Sequence, residues 1–300
     1  MRISTSQIHQ VALTAMTDQQ ALLSKTQQQL ATGNRLLAPA DDPSASAQIL
    51  LLKQSVDITT QYQRNIDAAR NRLGLEEAAL AGAGDVIQRA RELAVKGNNG
   101  TLSDNDRSAI AVEIRQLSEQ MLGLANTKDS SGEYLFAGFH AASQPFTVDG
   151  SGTVSYNGDQ GVRQLQIGPT RHIEVGDAGD KVFMNVPASA GGLQSIFATL
   201  NTYADNLEAN TATPTTIADL DAALKSILAA RSNIGARQNA VDSQSDVNTD
   251  YLLQMQTSLS EVKDLDYAEA ITRYNQQTVA LQAAQNSYTK LQGLSLFNYL

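Results

Sequence analysis

The segment that decides the fold covers residues 42–97 and reads DPSASAQILLLKQSVDITTQYQRNIDAARNRLGLEEAALAGAGDVIQRARELAVKG. Its apolar row repeats at steps of seven: Leu52, Thr59, Ile66, Leu73, Leu80, Ile87 and Ala94. Asp42 before Pro43 is typical of a helix N-cap and first turn, and Gly97-Asn98-Asn99-Gly100 is typical of an end. The segment therefore predicts one helix about 80 Å long at 1.5 Å per residue, packed along a coiled-coil seam.

The same spacing recurs on both sides of this helix. Rows at steps of seven are Met16, Leu23, Leu30 and Leu37, with Ile8, Ala15 and Leu22 as a second row; Leu220, Ile227, Ile234 and Val241; and Tyr267, Tyr274, Leu281 and Tyr288. The row of Leu252, Met255, Leu259 and Val262 has a different phase, which predicts a stutter near residues 264–266. Ser103 and Asp106 predict a capping box for a further helix. Long antiparallel helices are therefore expected from both ends of the chain.

The middle of the chain changes period. Residues 132–192 hold 11 of the 20 glycines, and the stretches 146–148 and 153–156 flank a turn typical of a hairpin. Residues 182–186 predict a further strand, and five or six short strands are expected in all. The predicted fold is mainly α with a small β insertion: a long antiparallel helical rod or coiled coil built from both termini, with a central β-rich domain at the far end.

Three domains follow from this pattern. A terminal coiled-coil assembly domain is expected at 1–40 plus 248–300, and a helical rod domain at 41–136 plus 193–247. A β-rich outer domain is expected at 137–192. No apolar run is long enough to span a membrane, and no cleavable signal peptide is visible, so the chain is either cytosolic or exported by another route.

The composition argues against catalysis and against metal or cofactor binding. The net charge is −9, which disfavours nucleic acid and anionic membrane as partners. There is no Cys, and His9, His140 and His172 are scattered without metal-ligand spacing. No cofactor, metal or catalytic residue is predicted, and the chain is not expected to be an enzyme.

The two ends are nearly uncharged: Lys290 is the only charged residue from 274 to 300, and Asp18 and Lys25 are the only ones from 3 to 34. A helix face of this kind packs on other chains at a low desolvation cost. The assembly interface is therefore predicted at the apolar positions Ile8, Met16, Leu23, Leu30, Tyr267, Tyr274, Leu281 and Tyr288.

Several motifs resemble the bacterial flagellin family. These are the 39–43 segment with Asp41, Asp42 and Pro43, the 91–106 segment RELAVKGNNGTLSDND, and the 230–239 segment ARSNIGARQN. In the second motif the positions that match the family are Arg91, Glu92, Leu93, Asn99 and Gly100. The opening MRIST, the 132–138 segment GEYLFAG and the ending LSLFNYL are similar to the branch found at the hook–filament junction.

The resemblance implies a structural adaptor that forms a ring by self-assembly at the junction between hook and filament. Its implied partners are the first hook-associated junction protein, filament flagellin and a flagellar export chaperone. It also implies type III export, without signal cleavage, to an extracellular position on the flagellum. Two alternatives stay open: a filament flagellin, and a signalling helical hairpin of the chemoreceptor type.

Overall fold

A computed structural model describes residues 5–211 and 214–293. Two compact units divide the chain: a terminal unit, residues 1–58 with 251–300, and a central unit, residues 59–250. The helices are α1 Thr5–Thr32, α2 Pro43–Gly97, α3 Asp104–Ala125, α4 Ile196–Glu208, α5 Thr216–Lys263 and α6 Tyr267–Gly293. The fold is mainly helical with a small β insertion, as predicted, and no described helix is long and apolar enough to cross a membrane.

In the terminal unit, α1 and α6 pack side by side and run in opposite directions. The His9 and Tyr288 rings meet edge-on at 5.9 Å, the Gln19 side chain donates to the carbonyl of Gln277, and Asn34 pairs with Asp264 in an antiparallel bridge. Contacts therefore advance along α1 as they retreat along α6, which confirms the prediction for the chain ends.

The α5–α6 break lies where the phase of the apolar rows changes. Helix α5 ends at Lys263 and α6 starts at Tyr267, with the Asp266 carboxylate accepting from the amides of Ala268 and Glu269 as an N-cap. The position was predicted, but the helix stops and restarts instead of continuing through a stutter.

In the central unit, α2 and α5 also run antiparallel. Ion pairs join Arg70 to Asp242, Arg231 to Glu77 and Arg91 to Asp221. All described members of the two predicted rows in this unit are buried: Thr59, Ile66, Leu73, Leu80, Ile87 and Ala94 on α2, and Leu220, Ile227, Ile234 and Val241 on α5. Helix α3 packs on α4 and begins with the predicted capping box of Ser103 and Asp106.

Within the described residues, six short strands form three antiparallel hairpins: β1 Phe146–Val148 with β2 Val154–Tyr156, β3 Gln164–Gln166 with β4 His172–Glu174, and β5 Val186–Pro187 with β6 Leu193–Gln194. The 182–186 strand prediction is wrong at its start, because Asp180–Met184 form one turn of π-helix closed by the Asn185 amide on the carbonyl of Asp180. Val182 and Phe183 are both buried. A strand would point consecutive side chains to opposite faces, whereas this turn places both in the core.

The β-rich segment packs along the sides of α2 and α5. The Asn65 side chain donates to the carbonyl of Gln166, and Asn248 donates to that of Ile167. Towards α3 and α4, four phenylalanine rings form one buried cluster: Phe136, Phe146, Phe183 and Phe197. Aromatic rings carry much buried area each, so this cluster anchors the segment that has little regular structure of its own.

Candidate assembly surface

The terminal unit has very little interior of its own. Among the described residues, its buried apolar side chains are Ala45, Leu265 and Ala270, whereas the central unit buries 39. Hydrophobic burial is the main favourable term in folding. The terminal unit therefore gains little stability from burial within this single chain.

Large apolar side chains are conspicuous on its outside. Of the 19 that the described residues expose, 11 belong to the terminal unit: Val11, Leu13, Leu22, Leu50, Leu51, Ile58, Tyr251, Leu253, Tyr267, Ile271 and Val279. Leu50 is 68% exposed and Val11 is 65% exposed. Scattered exposed leucines are ordinary, but contiguous apolar surface marks an interaction site.

Charge is distributed in the same uneven way. The terminal unit has seven basic and eight acidic residues in 108, whereas the central unit has 15 basic and 23 acidic in 192. Almost all of the net charge therefore belongs to the central unit. The terminal unit can be covered by other chains with few charges to desolvate.

The predicted interface positions lie on or beside the seam between α1 and α6. Met16, Leu23, Leu30, Tyr274, Leu281 and Tyr288 are half-buried, and the Gln27 amide donates to the Tyr274 hydroxyl. Tyr267 is exposed and its hydroxyl lies beside Gly33. The Ile8 side chain lies outside the described residues. The structure thus brings six of the eight side chains to the α1–α6 pair, where an assembly role stays a prediction.

The motif residues Asp41, Asp42 and Pro43 form the turn that starts α2. Asp42 is the N-cap, since its carboxylate accepts from the amide of Ala45 at 3.0 Å and the hydroxyl of Ser44 at 2.8 Å. The Ala45 bond, followed by that of Ser44, lowers the pKa of Asp42. An ionised cap also interacts favourably with the positive end of the helix.

Asp41 holds the same turn against α1. Its carboxylate accepts from the Lys25 ammonium at 2.6 Å and from the amides of Leu37 and Ala38. The Lys25 hydrogen bond is the largest cause of the lowered pKa of Asp41. Asp41 therefore fixes the turn, and Asp42 caps the start of α2.

The second motif lies at the end of α2. Arg91 pairs with Asp221 at 2.5 Å and Glu92 pairs with Arg89 at 3.0 Å, while Leu93 is buried in the central core. Asn99 accepts from the amide and hydroxyl of Thr101 in an Asx turn, and Gly100 is open to solvent. These residues shape the α2–α3 turn and join α2 to α5.

Sequence reasoning missed most of the exposed apolar positions. Val11 and Leu22 lie eleven residues apart and so share a face of α1, next to the face that packs on α6. Val279 lies on the side of α6 away from its seam. Leu22 belongs to the second predicted row of α1, whereas Val11 and Val279 are apolar residues outside the predicted rows, on arms that contain almost no charge.

The described part of the chain has no cluster of metal-ligating side chains. No three His, Cys, Asp or Glu side chains there are grouped as metal ligands. His140 lies 3.7 Å from Asp159, and His172 is on β4. The surface of the terminal unit is therefore the feature that carries a functional argument.

Comparison with known proteins identifies the family of this chain. The bacterial flagellin N-terminal helical region matches residues 3–141, and the bacterial flagellin C-terminal helical region matches residues 217–300. A relative over the full length, flagellar hook-associated protein 3 of Escherichia coli, is 33% identical over 99% of each chain. The chain belongs to the flagellin family.

Within the family, the solved structure of flagellar hook-associated protein-3 from Legionella pneumophila superposes with a TM-score of 0.67 at 25% identity. It covers 71% of this chain and 98% of its own. The filament 41 kDa core protein of Borreliella burgdorferi is 25% identical over 88% of each chain. The chemoreceptor-type alternative is wrong, because the middle of the chain forms three β-hairpins and the family is that of flagellin.

Proposed function

We propose that the terminal unit joins this chain to neighbouring subunits through its exposed apolar faces. The chain is a structural adaptor of the bacterial flagellum at the junction between hook and filament, like the relatives that it matches from end to end. The observation that carries the mechanism is the contrast between the two units. One buries its apolar side chains, and the other exposes them on helices that are nearly free of charge.

In this proposal, neighbouring subunits cover the exposed faces of the terminal unit. Copies of the chain form a ring through Ile8, Met16, Leu23, Leu30, Tyr267, Tyr274, Leu281 and Tyr288, together with Val11 and Val279. Each large apolar side chain that leaves water adds on the order of 1.5–3 kcal/mol. A ring of many identical contacts would therefore be stable even though each single terminal unit has a small interior.

The partners are the first hook-associated junction protein on one side and filament flagellin on the other. An export chaperone binds the C-terminal arm before assembly, and the chain reaches the outside of the cell by the flagellar type III route without loss of a signal peptide. A chain without Cys needs no disulfide reduced before export. The role requires no catalysis.

The proposed division of labour follows three domains. Residues 1–40 with 248–300 assemble, residues 41–136 with 193–247 form the helical rod, and residues 137–192 form an outer domain. The charge supports the separation of the assembling part, because residues 1–40 with 248–300 have six basic and six acidic residues, whereas the rest of the chain has 16 basic and 25 acidic residues.

Immunogold labelling of intact flagella tests the junction role. Antibody raised to the central unit should give one spot at the hook–filament boundary, whereas label along the whole filament would contradict the proposal. A chain ending at Gln254 tests the terminal unit. It should fail to join the hook, and cells that make it should release flagellin into the medium.

Because the chain also matches a filament core protein, a second candidate function is that of a filament subunit. A strain that lacks its own flagellin separates the two. If expression of this chain alone restored long filaments, the chain would be a filament subunit; an adaptor should leave the cells with hooks only.

A further inference from the structure

Glu76 is a carboxylic acid in the middle of the central core. It lies on α2 between Leu73 and Leu80, three residues after one and four before the other, so it shares their inward face. Its exposed fraction is 0%. Burying an ionised carboxylate is costly unless cations and hydrogen bonds compensate for the lost water.

That compensation is thin around Glu76. One carboxyl oxygen accepts from the backbone amide of Asp177 at 2.9 Å, and the other bonds to no protein group among the described residues. The two nearby guanidinium groups pair with other acids, and each keeps one buried nitrogen, Nε of Arg72 and Nη1 of Arg237, without a hydrogen-bond partner among the described residues. Arg237 pairs with the Asp177 carboxylate, and Arg72 pairs with Asp129 at 2.8 Å.

The charged groups near Glu76 come from α2, from α5 and from the loops. From α2 come Arg72 and Glu77, and from α5 come Arg237 and Arg231, the last paired with Glu77. The loops contribute Asp129, Glu133 and Asp177, and Arg163 pairs with Glu133 at 2.9 Å. Each of these acids has a basic partner, which leaves Glu76 as the one in this group without an ion pair.

We propose that Glu76 is a proton-binding site that latches the 175–179 loop onto α2. With its proton, the carboxyl group is neutral, stays in the core and accepts from the Asp177 amide. Without it, the carboxylate is favoured in water, so the loop and the side chain separate more readily. The inference concerns the central unit and does not depend on the assembly role.

The electrostatic surroundings of Glu76 favour its protonated form, as this geometry requires. Burial first, and then the Asp177 charge, raise the pKa of Glu76 to about 8, against the opposing effects of Arg237, the Asp177 amide and Arg72. The ordinary value is 4.5. Since the closed loop holds the proton more tightly than the open one, the closed state is favoured below pH 4.5 and loses that advantage as the pH rises towards 8.

The 175–179 loop is well placed to transmit such a change. The Val175 amide donates to the carbonyl of Arg163, and the Gly179 amide donates to that of Phe136 beside the phenylalanine cluster. Gly179 has no room for a side chain, because a Cβ there would lie 2.6 Å from Phe146. Loosening this loop would therefore release the π-helix and the rings that pack behind it.

Amide exchange on the full-length monomer tests the latch between pH 6 and 10. After correction for the intrinsic rate, protection of residues 175–179 should fall by roughly tenfold per pH unit up to the Glu76 midpoint near 8 and then level off, because opening releases one proton only below that midpoint. Glu76→Gln, which imitates the neutral acid, should give constant protection. Glu77→Gln is the control, and its protection should fall as in the wild type.

Two results would overturn the proposal: constant wild-type protection up to pH 10, or the same fall in Glu76→Gln. If Glu76→Gln does not fold, the carboxyl carbon of Glu76 in the wild type can be titrated by NMR. A midpoint near 4.5 would then refute the inference, and one at least two pH units higher would support it.

Discussion

Leu73 and Leu75 lie two positions apart on α2 but have different surroundings. Leu73 is fully buried, whereas Leu75 is 39% exposed. Leu73→Ala should lower the free energy of unfolding by about 2–5 kcal/mol, because it leaves a cavity in a packed core. Leu75→Ala removes the same atoms from a wet surface and should cost much less. Urea unfolding of both variants checks this, and equal losses would show that the row of seven is not the core seam.

Gly33 and Gly74 have opposite roles within helical segments. Gly33 ends α1 with φ of +68°, its carbonyl accepts from the amide of Leu265, and a Cβ there would lie 2.9 Å from the Tyr267 hydroxyl. Gly33→Ala should therefore destabilise this turn by about 1 kcal/mol or more, seen as faster amide exchange at Leu265. An unchanged amide exchange rate at Leu265 would contradict this interpretation of Gly33.

Gly74 serves as the reverse case on α2. A Cβ there meets nothing within 4 Å. Gly74→Ala should raise stability by roughly 0.5–1 kcal/mol, because alanine loses less conformational freedom in a helix. A thermal melt of the central unit measures this, and a lower midpoint would show that the position has a packing role that the structure does not reveal.

At the scale of the element, the start of α2 should respond to acid. The pKa of Asp42 is lowered by the Ala45 amide, so the cap contributes fully above the ordinary value of 3.8 and is lost as the pH falls through the folded value. The Ala45 amide resonance should follow this titration. Asp42→Asn, which caps without ionising, should abolish the pH dependence and keep the helix start; Asp42→Ala should lose both. An Ala45 resonance that titrates in the Asn variant would assign the effect to another acid.

The helices were predictable because each depends on a repeat that the sequence displays. Steps of seven located α2 and α5, Asp42-Pro43 located a start, and a change of phase located the break before Tyr267. The π-helix at Asp180–Met184 was not predictable, because it is set by Phe183 reaching the phenylalanine cluster, which tertiary packing alone assembles. The packing of the hairpins along α2 and α5 depends on side-chain bonds such as Asn65 to Gln166, which have no periodicity.

The sequence predicted the type of candidate site, an apolar assembly surface, but only some of the residues that lie on it. The absence of charge on both arms indicated surfaces destined for other chains, and the seven-residue rows gave their seam. Val11, Leu50 and Val279 were missed, because a row describes one face and the structure leaves several faces of the same helices exposed. Glu76 was missed as well, although a glutamate between Leu73 and Leu80 stands out once the inward face is known.

At the scale of the whole molecule, the two units should differ in local stability before assembly. The central unit contains 39 of the buried apolar side chains, and helices without such packing are marginal in water. In the free chain, amides of 274–290 should exchange faster than those of 66–94, and assembly into the junction should slow them. Strong protection of 274–290 in the free chain would show that the arm is already stable and does not gain order from its neighbours.

Leu281→Asp separates assembly from the fold of the monomer. Leu281 is half-buried between α6 and α1 in the terminal unit, so a carboxylate there faces an apolar seam without a cation. The central unit has its own core and should keep its melting behaviour, while the variant should fail to join the hook. Leu281→Met conserves volume and apolar character, and it should assemble almost normally. Cells that carry either variant can be compared by flagellin released into the medium, and normal flagella on the Asp variant would remove the α1–α6 seam from the assembly mechanism.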